Sequence, residues 1–224
     1  MFPISDDNNG RHRFPFVTIG LIIANAAVFY LELMGGEPFV LKWAFVPGEF
    51  AADPSSESAT LFSAMFLHAS WVHLGGNMLY LYIFGDNVEN RLGPFMFLIF
   101  YLACGLVATF SQYAVNTGSM IPNVGASGAI AGVLGAYLLM FPKSQVNVLV
   151  GPRLIALPAF AVLGLWIVMQ FVAGYGAITA PDLTKHVEEP EQGGVAYMAH
   201  IGGFMAGLVF AIGLGGLRRP RPVA

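Results

Sequence analysis

Apolar residues recur along this chain in runs whose lengths match a bilayer rather than a globular core. Six segments, at roughly 14–34, 70–85, 94–114, 126–141, 154–174 and 195–217, meet or approach the ~20 residues that a helix needs to cross a hydrocarbon layer. The first, third, fifth and sixth are long and continuous, whereas polar residues and glycine interrupt the second and fourth. Pro94, Pro142 and Pro152 fall at segment edges, where proline opens a helix or follows its end. The pattern predicts an all-α membrane protein, a six-transmembrane-helix bundle over residues 14–217. A short polar tail at 1–13 and a basic tail at 218–224 flank it. The first run, Phe14 to Met34, is 21 residues long, beyond the ~7–15 of a signal-peptide core, and reads as a retained span. No internal repeat or second domain is expected.

Composition agrees. Of 224 residues 56% are hydrophobic and 10% charged, against about 25% charged in a typical soluble domain. A net charge of −3 with scattered Lys and Arg gives no basic face, so no nucleic-acid partner is expected. Cys104 is the single cysteine, so no intramolecular disulfide can form. Orientation follows from charge. Arg11, Arg13, Arg91, Lys143, Arg153, Arg218, Arg219 and Arg221, eight of the ten basic residues, fall on one side of a six-span topology. Lys42 and Lys185 fall on the other, with the acidic Glu37, Glu49, Asp53, Glu57, Asp182, Glu188, Glu189 and Glu191. Basic loops stay in the cytoplasm, so both termini are expected there.

With that orientation the second, fourth and sixth helices all run inward, and their N-terminal ends carry the chemistry. His73 and Asn77 lie in the first turns of the second, Ser127 opens the fourth within Gly125-Ala126-Ser127-Gly128, and His200 stands near the start of the sixth. Polar side chains in a membrane segment are expensive and point to function. A serine hydroxyl becomes a nucleophile when a base takes its proton, and a neutral imidazole suits that role. No Asp or Glu lies near these residues in their own helices, so a Ser127–His200 dyad is expected. Backbone N–H groups at a helix start can stabilise an oxyanion, and His73 and Asn77, four apart on one face, can add donors. From Ser127 to Phe141 is 15 residues, roughly 22 Å of helix, short of a ~30 Å hydrocarbon core. Ser127 is therefore expected below the outer boundary, in a cavity open to water. Ala131 and Gly135 on the fourth helix, with Gly203-x-x-x-Gly207 on the sixth, predict close backbone packing of the two.

Other chemistries fit less well. His68 and His73 are five apart, not the four of a zinc-binding pair, and no His-Glu-x-x-His occurs, so no metal is expected. His68 reads as a structural loop residue. Gly85-Asp86 has no partner aspartate in a span. Glu89 and Arg91 read as a cytoplasmic cap on the second helix. A small transporter would place its site at the midplane between repeats, and no repeat is visible.

The motifs His68-x4-His73-x3-Asn77, Gly125-Ala126-Ser127-Gly128 and Ala199-His200-Ile201-Gly202-Gly203, followed by Gly207, together resemble the bacterial rhomboids, intramembrane serine proteases, in their compact six-helix form. The resemblance covers nearly the whole chain. It implies Ser127 as nucleophile, His200 as base, and an oxyanion hole of His73, Asn77 and the Ser127 amide. Gly125, Gly128, Gly203 and Gly207 then serve packing. It also implies cleavage of transmembrane protein substrates near the outer face of the bilayer, without cofactor or metal. The location implied is a bacterial inner (plasma) membrane, and the fifth helix is implied as a lateral gate. The alternative within the resemblance is an inactive rhomboid-like protein that binds membrane helices. Three features depart from many members. No Trp-Arg pair lies between Phe39 and Leu67, Ala131 stands where some carry an aromatic residue, and the loop from Gly174 to Gly194 is acidic.

Overall fold

The computed structural model describes residues 2–7, 14–179 and 195–215. Arg11, Arg13, Lys185, Arg218, Arg219 and Arg221, the acidic residues from Asp182 to Glu191, and the tail at 218–224 lie outside the described residues. In chain order the elements are β1 (Phe2–Asp6), α1 (Phe16–Trp43), α2 (Pro47–Ala52), α3 (Thr60–Ser63), a 3₁₀ turn (Ala64–Phe66), α4 (Trp71–Leu92), α5 (Pro94–Val115), α6 (Ser127–Met140), β2 (Gln145–Val150), β3 (Arg153–Pro158), α7 (Ala159–Thr179) and α8 (Tyr197–Gly213).

Among the described residues three helices are long and apolar enough to cross a bilayer: α1, α5 and α7, the last over Ala159–Gly176. The helices α6 and α8 are apolar but only 14 and 17 residues long. With 22 residues α4 has the length, but Asp86, Glu89 and Arg91 lie in its last two turns. The centre of the molecule is α6, buried without a break from Gly128 to Tyr137. A helix that is apolar all round belongs inside, and here α8, α5 and α4 surround it. The break in α1 comes at Gly36, two residues before Pro38.

The fold is not all-α. An antiparallel sheet of order β1-β2-β3 closes the end of the bundle at which α6 finishes. Val146 and Val148 are fully buried on one face of β2, with Gln145 before them and Asn147 between them less buried, the period of two that a half-buried strand requires. Leu154 to Pro158, expected as the start of the fifth helix, pair residue for residue with β2 instead, so that α7 begins only at Ala159. Pro152 thus sits in a hairpin turn rather than at a helix edge. The N-terminal residues expected as a polar tail supply a strand, and Asp6 anchors it. Its Oδ2 accepts hydrogen bonds from the Tyr137 hydroxyl at 2.6 Å and the Asn87 amide at 2.8 Å.

The second helix runs seven residues past its expected end at 85, because its polar turn is buried rather than solvated. Glu89 is 3% exposed and is not a surface cap. Its carboxylate accepts from Val17 N–H (3.0 Å), Thr18 N–H (2.7 Å) and the Thr18 hydroxyl (2.7 Å), which closes the N-terminus of α1. A helix start leaves such donors without partners, and a carboxylate there also meets the positive end of the helix dipole. Glu89→Ala strands all three and is expected to lower unfolding free energy by about 2–3 kcal/mol. Glu89→Gln should cost less, and an unchanged denaturation midpoint of Glu89→Ala in detergent would refute this capping role.

Candidate active site

The start of α6 is fixed by the loops around it. Asn123 and Phe45 exchange backbone hydrogen bonds at 3.2 and 2.8 Å, and Gly48 N–H donates to Ser119 O at 2.8 Å. Gly125 N–H donates to Ala64 O at 2.9 Å, and its φ of +128° is a conformation that side chains disfavour. The short helices after α1 therefore hold the backbone that leads into Ser127, the first residue of α6.

His200 lies in the first turn of α8, and its Nε2 is 2.8 Å from Ser127 Oγ. The predicted nucleophile and base are in hydrogen-bond contact. His73 belongs to the same group: a Cβ on Gly125 would lie 2.9 Å from its Cε1, 3.0 Å from its Nε2 and 3.7 Å from Ser127 Oγ. Asn77 is buried one turn further along α4, and its Nδ2 has no partner among the described residues. A cleft of about 280 Å³ is lined by His73, Asn77, Tyr80, Ser127, Trp166 and His200. The structure thus brings all four predicted polar residues together at the N-terminal ends of α4, α6 and α8. On the other side of Ser127 a smaller cavity, about 50 Å³, is reached by Thr109 and Gln112. Gln112 Oε1 is buried there without a partner among the described residues, the setting in which a trapped water finds a hydrogen bond.

The contact between Ser127 and His200 depends on how closely α6 and α8 approach. A side chain at Gly203 would strike the carbonyl oxygen of Gly128, and one at Gly207 would strike the backbone of Gly132. Gly135 lies against Phe204 O in the same way. The face of α6 toward α8 is therefore Gly128, Gly132 and Gly135. Ala131, expected on it, is one residue and some 100° out of phase, and lines the cleft instead.

His68 is 3% exposed and structural in its contacts. Its backbone N–H donates to Glu32 Oε1 at 2.9 Å, Nδ1 lies 3.3 Å from Phe66 O, and its ring stands edge-on to His73 at 5.2 Å. Three neighbours of the site were not singled out from sequence. Glu32 comes from α1. Gln170 and Trp166 come from α7: Gln170 Oε1 is 2.7 Å from His200 Nδ1, and the Trp166 ring lies 5.8 Å from that of His200. Their signal was available, for Glu32 is the only carboxylate in the run Phe14–Met34 and Gln170 the only amide in 154–174.

A helical membrane protein with a serine–histidine pair sunk at one end of a glycine-packed helix pair is the class these features define. Residues 55–216 match the model of the Rhomboid domain, and the chain belongs to the rhomboid family. It is 31% identical over 138 residues to the mitochondrial presenilin-associated rhomboid-like protein of Bos taurus, covering 59% of this chain and 35% of that one. Against the Bacillus subtilis protein named "Putative rhomboid protease YdcA" identity is 32% over 153 residues, 67% of this chain and 75% of the other. Against mitochondrial Rhomboid protein 1 of Saccharomyces cerevisiae it is 28% over 195 residues, 85% and 51%. The match thus spans about a third of the animal relatives' length and half of the yeast one's.

Gly203→Leu is expected to force α6 and α8 apart and to lower labelling of Ser127 by a fluorophosphonate at least tenfold, since a misplacement of about 1 Å can cost 100-fold in rate. Full labelling would show that the contact tolerates bulk.

Proposed function

We propose that the chain is an intramembrane serine endopeptidase that cuts transmembrane segments of other membrane proteins near the outer face of the bilayer. The observation that carries this reading is the 2.8 Å contact of His200 Nε2 with Ser127 Oγ beside a cleft. As Ser127 Oγ attacks the scissile carbonyl, His200 Nε2 takes its proton. The oxyanion so formed accepts hydrogen bonds from the Ser127 N–H at the start of α6, from His73 and from Asn77 Nδ2. The C–N bond breaks as His200 returns the proton to the leaving amine. Water then attacks the acyl-enzyme as His200 takes its proton, and the Oγ–C bond breaks as His200 passes that proton to Ser127 Oγ, releasing the carboxylic acid product and restoring the free hydroxyl. Side chains and water balance every step, so no cofactor is called for.

Six spans fit the chain when α4, α6 and α8 are added to the three long apolar helices. A 14-residue α6 is roughly 21 Å long, which leaves Ser127 beneath the surface of a ~30 Å core. Arg91 lies in the last turn of α4, and Lys143 and Arg153 follow α6, all at the end away from the site, whereas Lys42 lies in the last turn of α1. By the positive-inside rule the site then opens outward and both termini are cytoplasmic, in a bacterial plasma membrane by resemblance. Binding of membrane helices without hydrolysis has no use for a serine–histidine contact. A transport site would be expected at mid-bilayer rather than at one end of three helices.

Reconstituted protein is expected to cleave a model single-span substrate, with products identified by mass spectrometry, and to react with a fluorophosphonate. Ser127→Ala and His200→Ala should each abolish both reactions in folded protein. His73→Ala or Asn77→Ala should lower the rate roughly 100- to 1,000-fold, the usual cost of one oxyanion donor. Cleavage surviving Ser127→Ala would sink the assignment.

A further inference from the structure

We propose that Gln170, on α7, is the positioning residue that holds His200 in the tautomer able to act as a base, the place that a carboxylate takes in a three-residue site. The inference rests on the Ser127–His200 chemistry proposed above. A neutral imidazole carries one N–H. With Gln170 Oε1 2.7 Å from Nδ1, that hydrogen belongs on Nδ1, donated to the amide oxygen. The lone pair is then on Nε2, 2.8 Å from Ser127 Oγ, where it accepts the hydroxyl proton. In the opposite tautomer the Nδ1 lone pair would face the lone pairs of the amide oxygen at 2.7 Å, and Nε2 could take no proton from serine. One acceptor thus decides which ring nitrogen is basic, and which ring nitrogen carries the proton is set by the hydrogen bond of the other.

Three residues of α7 spaced one turn apart make this possible. Trp166 packs its ring on His200 at 5.8 Å and on Phe204 at 6.1 Å, which restricts rotation of the imidazole. Gln170, one turn on, reaches Nδ1. Gly174, a further turn on, brings the helices together, since a Cβ there would already lie 3.1 Å from Tyr197 Cβ and 3.5 Å from Ile201 Cδ1. Spacings of four keep all three on one helical face, and α8 lies against it. Trp166 also supplies the aromatic contact that Ala131 on α6 does not. Apart from the aromatic Trp166 and Tyr175, the amide is the only side chain of α7 before Thr179 that carries a polar group. Such a group in a membrane helix needs a partner. Its partner here is the histidine rather than a neighbouring backbone.

The competing role is interhelical adhesion alone, in which Gln170 joins α7 to α8 and the tautomer is incidental. Three measurements on the reconstituted full chain separate the two. First, Gln170→Leu should lower kcat for a single-span substrate roughly 10- to 100-fold, part of the 10²–10⁴ that a placed base contributes. Its KM should stay within about twofold, because substrate binding is untouched. Second, Gln170→Glu keeps an acceptor oxygen at the same reach and should recover kcat to within about threefold of wild type. Third, nitrogen-15 spectra of labelled histidine should show His200 protonated on Nδ1 in wild type, and a mixture of tautomers in Gln170→Leu.

An unchanged kcat in folded Gln170→Leu, or a wild-type His200 protonated on Nε2, would overturn the inference. Equal losses of thermal stability in both variants with kcat intact would assign adhesion instead and also overturn it. The spectra need no turnover, so they decide the tautomer even if Gln170→Leu fails to fold. A wild type that neither cleaves nor reacts with the probe refutes the protease reading, a result distinct from any of these.

Discussion

Two helix backbones in contact, with no side chain between them, set the geometry of everything else in this protein. Gly128 and Gly132 of α6 lie directly against Gly203 and Gly207 of α8. In lipid there is no hydrophobic gain from joining two apolar helices, so their association depends on close van der Waals fit, which small residues permit. Ser127 immediately precedes the first of these glycines and His200 stands three residues before its partner. Once the backbones touch, hydroxyl and imidazole have nowhere to be but beside one another. A larger residue at Gly203 or Gly207 would push into the facing backbone and separate the pair, whereas one at Gly128 or Gly132 would first meet Ala108 or Cys104 of α5.

The polar groups are divided between the two ends of α6. At its start are Ser127 and, from α4 and α8, His73, Asn77 and His200. Ten residues on, about 15 Å along the helix, Tyr137 bonds to Asp6 of the N-terminal strand, beside Asn87 of α4. Near by, Glu89 of α4 closes the start of α1. One end is open, with a cleft and an Asn77 amide that has no partner among the described residues. The other is stitched by long-range hydrogen bonds in which α4 takes part twice. Between the two lies an apolar middle, from Ala129 to Ala136 on α6, that water has no reason to enter. The same two helices, α4 and α6, thus connect the stitched end to the open one, and rigidity at the first serves placement at the second.

What the sequence made legible is what a membrane enforces locally. A helix in lipid must be long and apolar, so the spans could be read from run length, and polar residues at their ends stood out against that background. The glycine spacing on α8 was legible for the same reason. Its partner on α6 was misread by one residue, Ala131 for Gly132, because helical phase relative to a neighbour is not written in either helix alone. The sheet was hidden for a different reason. Val146 and Val148 offer only two turns of alternation, and Leu154 to Pro158 is apolar enough to merge with the helix that follows. Glu89 was misread as a surface cap and Gln170 passed over, because their partners lie 71–72 and 30 residues away in sequence. No local pattern announces a bond of that reach.

Among the described residues the partner of His200 Nδ1 is an amide rather than a carboxylate, in keeping with how this chain buries charge. Two buried acids meet several donors: Glu89 accepts three hydrogen bonds from Val17 and Thr18, and Asp6 accepts from Tyr137 and Asn87, whereas Glu32 shares the one N–H of His68 between its two oxygens. A carboxylate with too few partners in a low-dielectric interior costs several kcal/mol or takes up a proton. At His200 the available donor is a single Nδ1–H. An amide oxygen matches it one to one, and the remaining N–H₂ of the amide carries no full charge. A neutral acceptor therefore orients the imidazole at far lower desolvation cost than an acid would. In the proposed reaction it would also give less help to the imidazolium, so more of the transition-state charge would have to be met at the oxyanion. That is the side of the site where the Ser127 amide, His73 and the free Nδ2 of Asn77 gather.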